Sequence, residues 1–150
     1  IIHDSGALTL SEAVGILSSN DIIHDSAAFD PAYTTATSAA DMNVVLSGIW
    51  TDTVASPEVC LQMRTILAQQ IWPHRVRSGF PFADVAVAGK TGTIGPIRNE
   101  AAVVEVPGEV PVAVSVFTRA ARSDVYLPMV DAAIGRAAYL AVNEVRAWLS

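Results

Sequence analysis

Between Val85 and Thr118 three runs of β-forming residues follow one another: Val85–Thr91, Ala101–Val106 and Val110–Thr118. The last two are joined only by Pro107-Gly108-Glu109, which reads as a tight hairpin turn. Parallel neighbours need a crossover of about a dozen residues or more, and neither gap is that long. The expected product is therefore a three-stranded antiparallel meander. Its third run holds Val-Ala-Val-Ser-Val-Phe from Val112 to Phe117. So continuous a set of β-formers is expected to be covered on both faces.

Helical signals flank the meander. Thr9-Leu-Ser-Glu12 is a capping box that opens a short helix through Leu17, and residues 18–37 read as loop. Ser38-Ala-Ala-Asp41 is a second capping signal, followed by Met42, Val45, Leu46 and Ile49 at helical spacing. Ser56-Pro57-Glu58 starts a third helix, predicted to run through Leu61 to Ile71 until Pro73 stops it. Residues 74–84 read as a loop around Ser78-Gly79. Ser123 to Trp148 is expected to form a long amphipathic helix, with Leu127, Val130, Ile134, Ala137, Ala141, Val145 and Trp148 on one stripe. Ala133, Ala137, Ala138 and Ala141 would let it pack close to a sheet. Helices, meander and closing helix make an α+β order. Residues 1–37 read as a short helix and loop, and residues 38–150 as the main body. One closing helix leaves a sheet face bare, so the helices at 38–72 or a missing segment must cover it.

Composition limits the function. Hydrophobic residues make up 51% of the 150, charged residues 16%, and the formal net charge is -6. That gives one domain or part of one, with a real core and no basic stripe for nucleic acid. No apolar run approaches a membrane span, and no signal peptide is visible. The first residue is not Met, so a mature, trimmed or partial chain is expected. Cys60 is alone, with helix-compatible neighbours, and reads as a small buried hydrophobe. His3, His24 and His74 show no metal-ligand spacing, so neither metal nor cofactor is expected. Ile1-Ile-His-Asp-Ser5 recurs at Ile22-Ile-His-Asp-Ser26, read as a local duplication or an artefact of sequence editing, with two functional His-Asp pairs as the sharper alternative.

The chemistry centres on Lys90, the only lysine. Gly89-Lys90-Thr91 does not end a phosphate loop: position 84 is Asp, and Gly92, Gly95 and Pro96 follow where a helix should begin. Lys90-Thr91-Gly92 at a strand edge offers other groups. Lys90 sets a positive potential and Thr91 a hydroxyl for a substrate carboxylate. Gly92 gives room for a substrate amide, and the Thr93 backbone N–H can donate to a developing oxyanion. With the turn, hairpin and closing helix that follow, this motif resembles the third signature of active-site serine β-lactamases and penicillin-binding proteins. Over residues 34–150 the order resembles class A β-lactamases and their actinobacterial serine-hydrolase relatives.

The resemblance implies more. Arg98 falls where a cation of the next strand would help bind the substrate carboxylate, facing back toward Lys90 and Thr91. Ser18-Ser19-Asn20 fits the second signature, Ser-x-Asn. The first signature, Ser-x-x-Lys, is absent: three residues before Lys90 stands Val87. No counterpart of the deacylating glutamate is found. The expected function is the C-terminal portion of a serine hydrolase that forms an acyl-enzyme with a β-lactam or related amide or ester. This chain alone is expected to be inactive, with the nucleophile on a missing N-terminal segment. The alternatives are a non-catalytic binding domain and a D-Ala-D-Ala-type peptidase or esterase. The implied partner is a small molecule, a β-lactam or peptidoglycan-like peptide, without cofactor. The implied location is secreted or cell envelope.

Overall fold

Ser38 and Ser56 start the two helices that precede the sheet. The structure is a computed structural model that describes residues 36–121 and 126–149. Helix α1 spans Ala39–Trp50. Ser38 Oγ accepts from the Asp41 N–H at 3.1 Å and donates to Asp41 Oδ2 at 2.8 Å. Helix α2 spans Pro57–Ala68, with Ser56 as N-cap and Pro57 in the first turn, where its missing N–H costs nothing. It ends three residues short of the expected Ile71. Gln69 closes it through its N–H, and Gln70 leaves for the sheet, donating to the Gly89 carbonyl at 3.3 Å. Within the expected 74–84 loop, Val76–Gly79 forms one 3-10 turn.

The meander forms as expected, in the order β1-β2-β3 and antiparallel throughout. Strand β1 is Ala86–Ile94, β2 is Ile97–Glu105 and β3 is Val112–Arg119. β2 begins four residues before the expected Ala101. The reason is the turn: Ile94 pairs with Ile97, so only Gly95 and Pro96 lie outside the ladder. Gly95 has φ 50, and proline fixes a negative φ after it, the two-residue turn that keeps the strand twist. At the other hairpin the Glu109 N–H reaches the Val106 carbonyl at 3.0 Å, and Gly108 takes φ 79 after Pro107. That is the proline-then-glycine signature of a type II turn.

Alternation along β2 divides the core. Ala102 and Val104 join Val76, Phe80, Val85, Val114, Ile134, Ala138 and Val142 on one face. Ala101 and Val103 join Leu46 on the other, flanked by Met42, Trp50 and Leu67. The second face is therefore covered from within the chain, by α1 and α2. Cys60 is fully buried, its Sγ near the Ala55 carbonyl.

Helix α3 spans Pro128–Leu149, not the expected start at 123. Pro128 suits a first helical turn and disfavours helix at Leu127, whose carbonyl accepts from the Val130 and Asp131 N–H groups. The inward stripe also differs. Asp131, Ile134, Gly135, Ala138 and Val142 are buried, whereas Ala137, Ala141, Val145 and Trp148 face out. The helix is rotated because it packs on the 3-10 turn through Gly135. A Cβ there would lie 2.3 Å from Ser78 Oγ and 2.6 Å from the Arg75 carbonyl oxygen. Such a helix face must carry glycine, and it brings Asp131, one turn earlier, inward. The Thr9 capping box, Ser18 and Asn20, and the pentapeptide repeat lie outside the described residues.

Candidate active site

Strand β1 has β2 on one side only, so its other edge is open within the described sheet. Backbone sense alternates along the strand. Two carbonyls on the open edge take side-chain donors: Gly89 from Gln70 Nε2, and Thr91 from Lys90 Nζ at 2.7 Å. The same parity directs the backbone of Thr93 to that edge. Lys90 is exposed, with its ammonium folded back on the strand. A Cβ at Gly92 would meet only Asn99 Cβ, at 3.7 Å, so its own chain leaves space beside it.

Thr91 and Thr93 pair with Glu100 and Arg98, which places all four on the α3 face of the sheet. There the main cation is Arg75, at the entry to the 3-10 turn. Its Nη2 donates to Thr93 Oγ1 at 2.6 Å. Its Nη1 donates to the carbonyls of Asn99 at 2.8 Å and Gly92 at 3.3 Å. Its Nε donates to Asp131 Oδ1 at 2.6 Å, a pair with both side chains almost wholly buried. The guanidinium thus lies against the backbone and hydroxyl of the residues that follow Lys90. Its planar fork suits a carboxylate ligand.

Arg98 was expected to face Lys90 and Thr91. It lies opposite Thr93 on the face that also carries Thr91, is 2% exposed, and its Nη1 donates to the carbonyls of Gly95 at 2.6 Å and Ile97 at 3.1 Å. Residue 98 stands one step from the turn, so its guanidinium folds onto the turn carbonyls. Burial pulls its pKa down, the charge of Arg75 adds to that, and Asp131 opposes it. Glu100, 1% exposed, accepts from the Val76 N–H at 2.7 Å through Oε2. Burial raises its carboxyl above the usual range, while the Val76 N–H and the charges of Arg75 and Lys90 pull the other way.

Lys90, Thr91, Gly92 and Thr93 follow one another on the edge strand β1, and Arg98 lies opposite Thr93 with its Nη1 on the turn carbonyls. Ser18 and Asn20 fall outside the described residues. Sequence reasoning missed Arg75, Glu100 and Asp131. One signal could have found Asp131: it lies one turn before Gly135 on a helix whose other inward positions are apolar.

A three-stranded antiparallel sheet between two helical layers makes this an α+β domain of the β-lactamase and transpeptidase fold. The sequence model of the β-lactamase enzyme family matches residues 8–145, and the chain belongs to that family. Three solved structures show its relations. A β-lactamase from Chitinophaga pinensis DSM 2588 is 25% identical, with 79% of this chain and 45% of that chain covered and a TM-score of 0.65. A variant of the class A β-lactamase of the last common ancestor of Gram-negative bacteria is 27% identical over 99% and 57%, TM-score 0.63. PBP-A is 17% identical over 89% and 50%, TM-score 0.63, and a mutant of it is recorded as an acyl-enzyme complex with penicillin G. The chain thus spans about half the length of these matches. No curated protein sequence matches it. No helix among the described residues is long and apolar enough to cross a membrane.

Proposed function

We propose that this chain supplies the substrate-facing edge of a serine hydrolase that acylates its nucleophile with a β-lactam or a related amide or ester. Lys90 supplies positive potential. Thr91 and Thr93 supply hydroxyls and the Thr93 N–H an oxyanion donor, and Gly92 leaves space for the scissile group. Arg75 takes the carboxylate-reading role that the family resemblance had suggested for Arg98, and Arg98 buttresses the turn. The observation that carries this is the Arg75 fork lying 2.6 Å from Thr93 Oγ1, on the strand that bears the only lysine. Ser18 and Asn20 would form the second signature from the preceding segment. The acyl-enzyme recorded for the PBP-A mutant supports the reaction class.

The nucleophile would lie outside these 150 residues, since no Ser-x-x-Lys occurs in them. The same absence favours a second reading, a non-catalytic domain that binds such ligands. An upstream Ser-x-x-Lys in the gene supports the first, and its lack supports the second. By either reading, the 150-residue chain incubated with labelled penicillin should show no covalent mass shift, and a stoichiometric adduct on a serine would contradict both. In the full-length product, Lys90→Ala should cost about 2.7–4 kcal/mol in the transition state, as loss of an oxyanion-stabilising group does. Arg75→Ala should cost about 1.5–3 kcal/mol for a carboxylate-bearing substrate and far less for its methyl ester. Equal losses on both substrates would remove the carboxylate role.

A further inference from the structure

We propose that a cavity behind the β1 edge is a subsite for the side chain of the substrate's terminal residue, the residue that bears the carboxylate, and that it selects a carboxamide. The proposal rests on the reading of β1 as the substrate edge. The cavity has a volume of about 230 Å³, and its lining runs from the end of α2 through the segment before the 3-10 turn to the first half of β1. Trp72, Pro73 and Gly89 contribute to its walls, and Glu100 and Arg77 are its two charged residues. Two placements tie it to the edge. Gly89 immediately precedes Lys90, and Glu100 stands opposite Thr91 across the ladder. Residues so paired have Cβ atoms about 4.5–5.5 Å apart. A short side chain beside a carboxylate held at Lys90 and Thr91 therefore has the cavity within reach.

The lining sets the chemistry. Arg77 is committed to its own loop: Nη1 donates to the Phe80 and Val85 carbonyls at 2.9 and 2.7 Å, and Nη2 to the Phe82 carbonyl at 3.4 Å. Gln70 Nε2 is committed to the Gly89 carbonyl. Glu100 is different. Its Oε2 accepts from the Val76 N–H, but its Oε1 has no hydrogen-bond partner among the described residues. Every fully buried side-chain nitrogen or oxygen among those residues has a partner. Oε1 is therefore not sealed off, and on a side chain 1% exposed it opens onto the cavity that Glu100 lines. Ionised, Oε1 can only accept. Protonated, the carboxyl keeps Oε2 as acceptor for Val76, so its O–H lies at Oε1 and donates. Burial raises this carboxyl toward the protonated form, while the Val76 N–H and the charges of Arg75 and Lys90 oppose that. An ammonium would meet only the ionised form and a carboxylate only the protonated one. A carboxamide carries both N–H donors and a carbonyl acceptor, and meets either. An apolar side chain would leave Oε1 dry and unpaired, which costs binding.

The test titrates the ¹⁵N-labelled chain with three N-acetyl-D-alanyl dipeptides that end in D-asparagine, D-leucine or D-aspartate. Asparagine and leucine differ little in shape, so their comparison reads the hydrogen bond. The asparagine peptide should bind about tenfold more tightly than the leucine one, the scale of a single hydrogen bond to a buried acid. It should also shift the Gln70 side-chain amide and the Trp72 indole N–H, which the leucine peptide leaves in place. Ala68→Leu, at the end of α2, fills the cavity without touching Glu100. It should bring the asparagine peptide down to the leucine affinity and leave Tm within a few degrees. Glu100→Gln turns a permanent N–H into the cavity, so the aspartate peptide should recover most of its deficit against asparagine. If that variant does not fold, Ala68→Leu alone decides. Equal affinities for asparagine and leucine in the wild type, or a preference that survives Ala68→Leu, overturn the subsite. The two readings fail differently. Shifts at Thr91 to Thr93 with equal affinities sink only the subsite, whereas no shift there with any peptide sinks the substrate edge and the subsite with it.

Discussion

The α3 face of the sheet has two unlike ends. Toward the β2–β3 hairpin it is apolar: Val104, Val114, Val85 and Val142 pack without directional demands. Toward the β1–β2 turn the same face buries Arg75, Arg98, Glu100 and Asp131, all between 1% and 6% exposed. Burying charge is weak evidence for stability, because desolvation offsets much of the attraction. Buried, charge-coupled side chains concentrate at functional sites. The charged end is the one that borders Lys90-Thr91-Gly92-Thr93. One end holds the domain together; the other holds a cation in place.

Substitutions should separate the two. Ile134→Ala, at a fully buried position of the apolar cluster, should cost about 2–5 kcal/mol of stability by chemical denaturation. It should leave the acid-to-ester preference of the full-length product unchanged, and a changed preference would blur the distinction. Gly135→Ala pushes a methyl into Ser78 and the Arg75 carbonyl. Overpacking of that kind costs about 1–3 kcal/mol. Because it displaces Arg75, it should alter ligand preference as well as Tm. A Tm loss alone would mean that the contact does not transmit to the site.

Glu100→Gln is a smaller, pH-dependent test. The folded carboxyl is raised, mainly by burial, so between its unfolded value of about 4.3 and the raised value the folded chain binds more protons than the unfolded one. Its contribution is therefore present at the low-pH side and lost as pH rises through that window. Denaturation at a series of pH values should show a falling component in the wild type that the glutamine variant lacks. An identical pH profile would assign the slope elsewhere. Arg146 and Glu109, an exposed pair near the far hairpin, should matter least. Arg146→Ala should show any stability loss only at low salt and none in ligand preference.

The parts legible in sequence were those set by local rules. Ser38 and Ser56 are caps wherever they occur before such runs, and Pro107-Gly108 turns the chain by its own torsions. That Lys90 to Thr93 share one strand was legible because they continue the β-forming run from Val85. The rotation of α3 was not legible, since the helix is apolar nearly all round: Met129 is 82% exposed and Trp148 89%. Several stripes satisfy the periodicity, and only the contact of Gly135 with the 3-10 turn selects among them. Arg75 was hidden because its partners, Thr93, Asn99 and Asp131, are 18 to 56 positions away. Arg98 was singled out by family resemblance, and a residue beside a two-residue turn also has that turn's carbonyls close to hand.

The most direct measurement is a titration of the ¹⁵N-labelled chain with benzylpenicillin, followed by the amide signals and the Arg75 Nε–H. Shifts are expected at Thr91, Gly92, Thr93 and the Arg75 side chain, with those at Thr91 to Thr93 abolished by Arg75→Ala. A depression of about 560 Å³ at the other end of the sheet, lined by Gly108, Glu109, Asn143 and Arg146, offers the contrast. Shifts confined to those residues, with Thr91 to Thr93 unmoved, would contradict the assignment of the β1 edge as the ligand site.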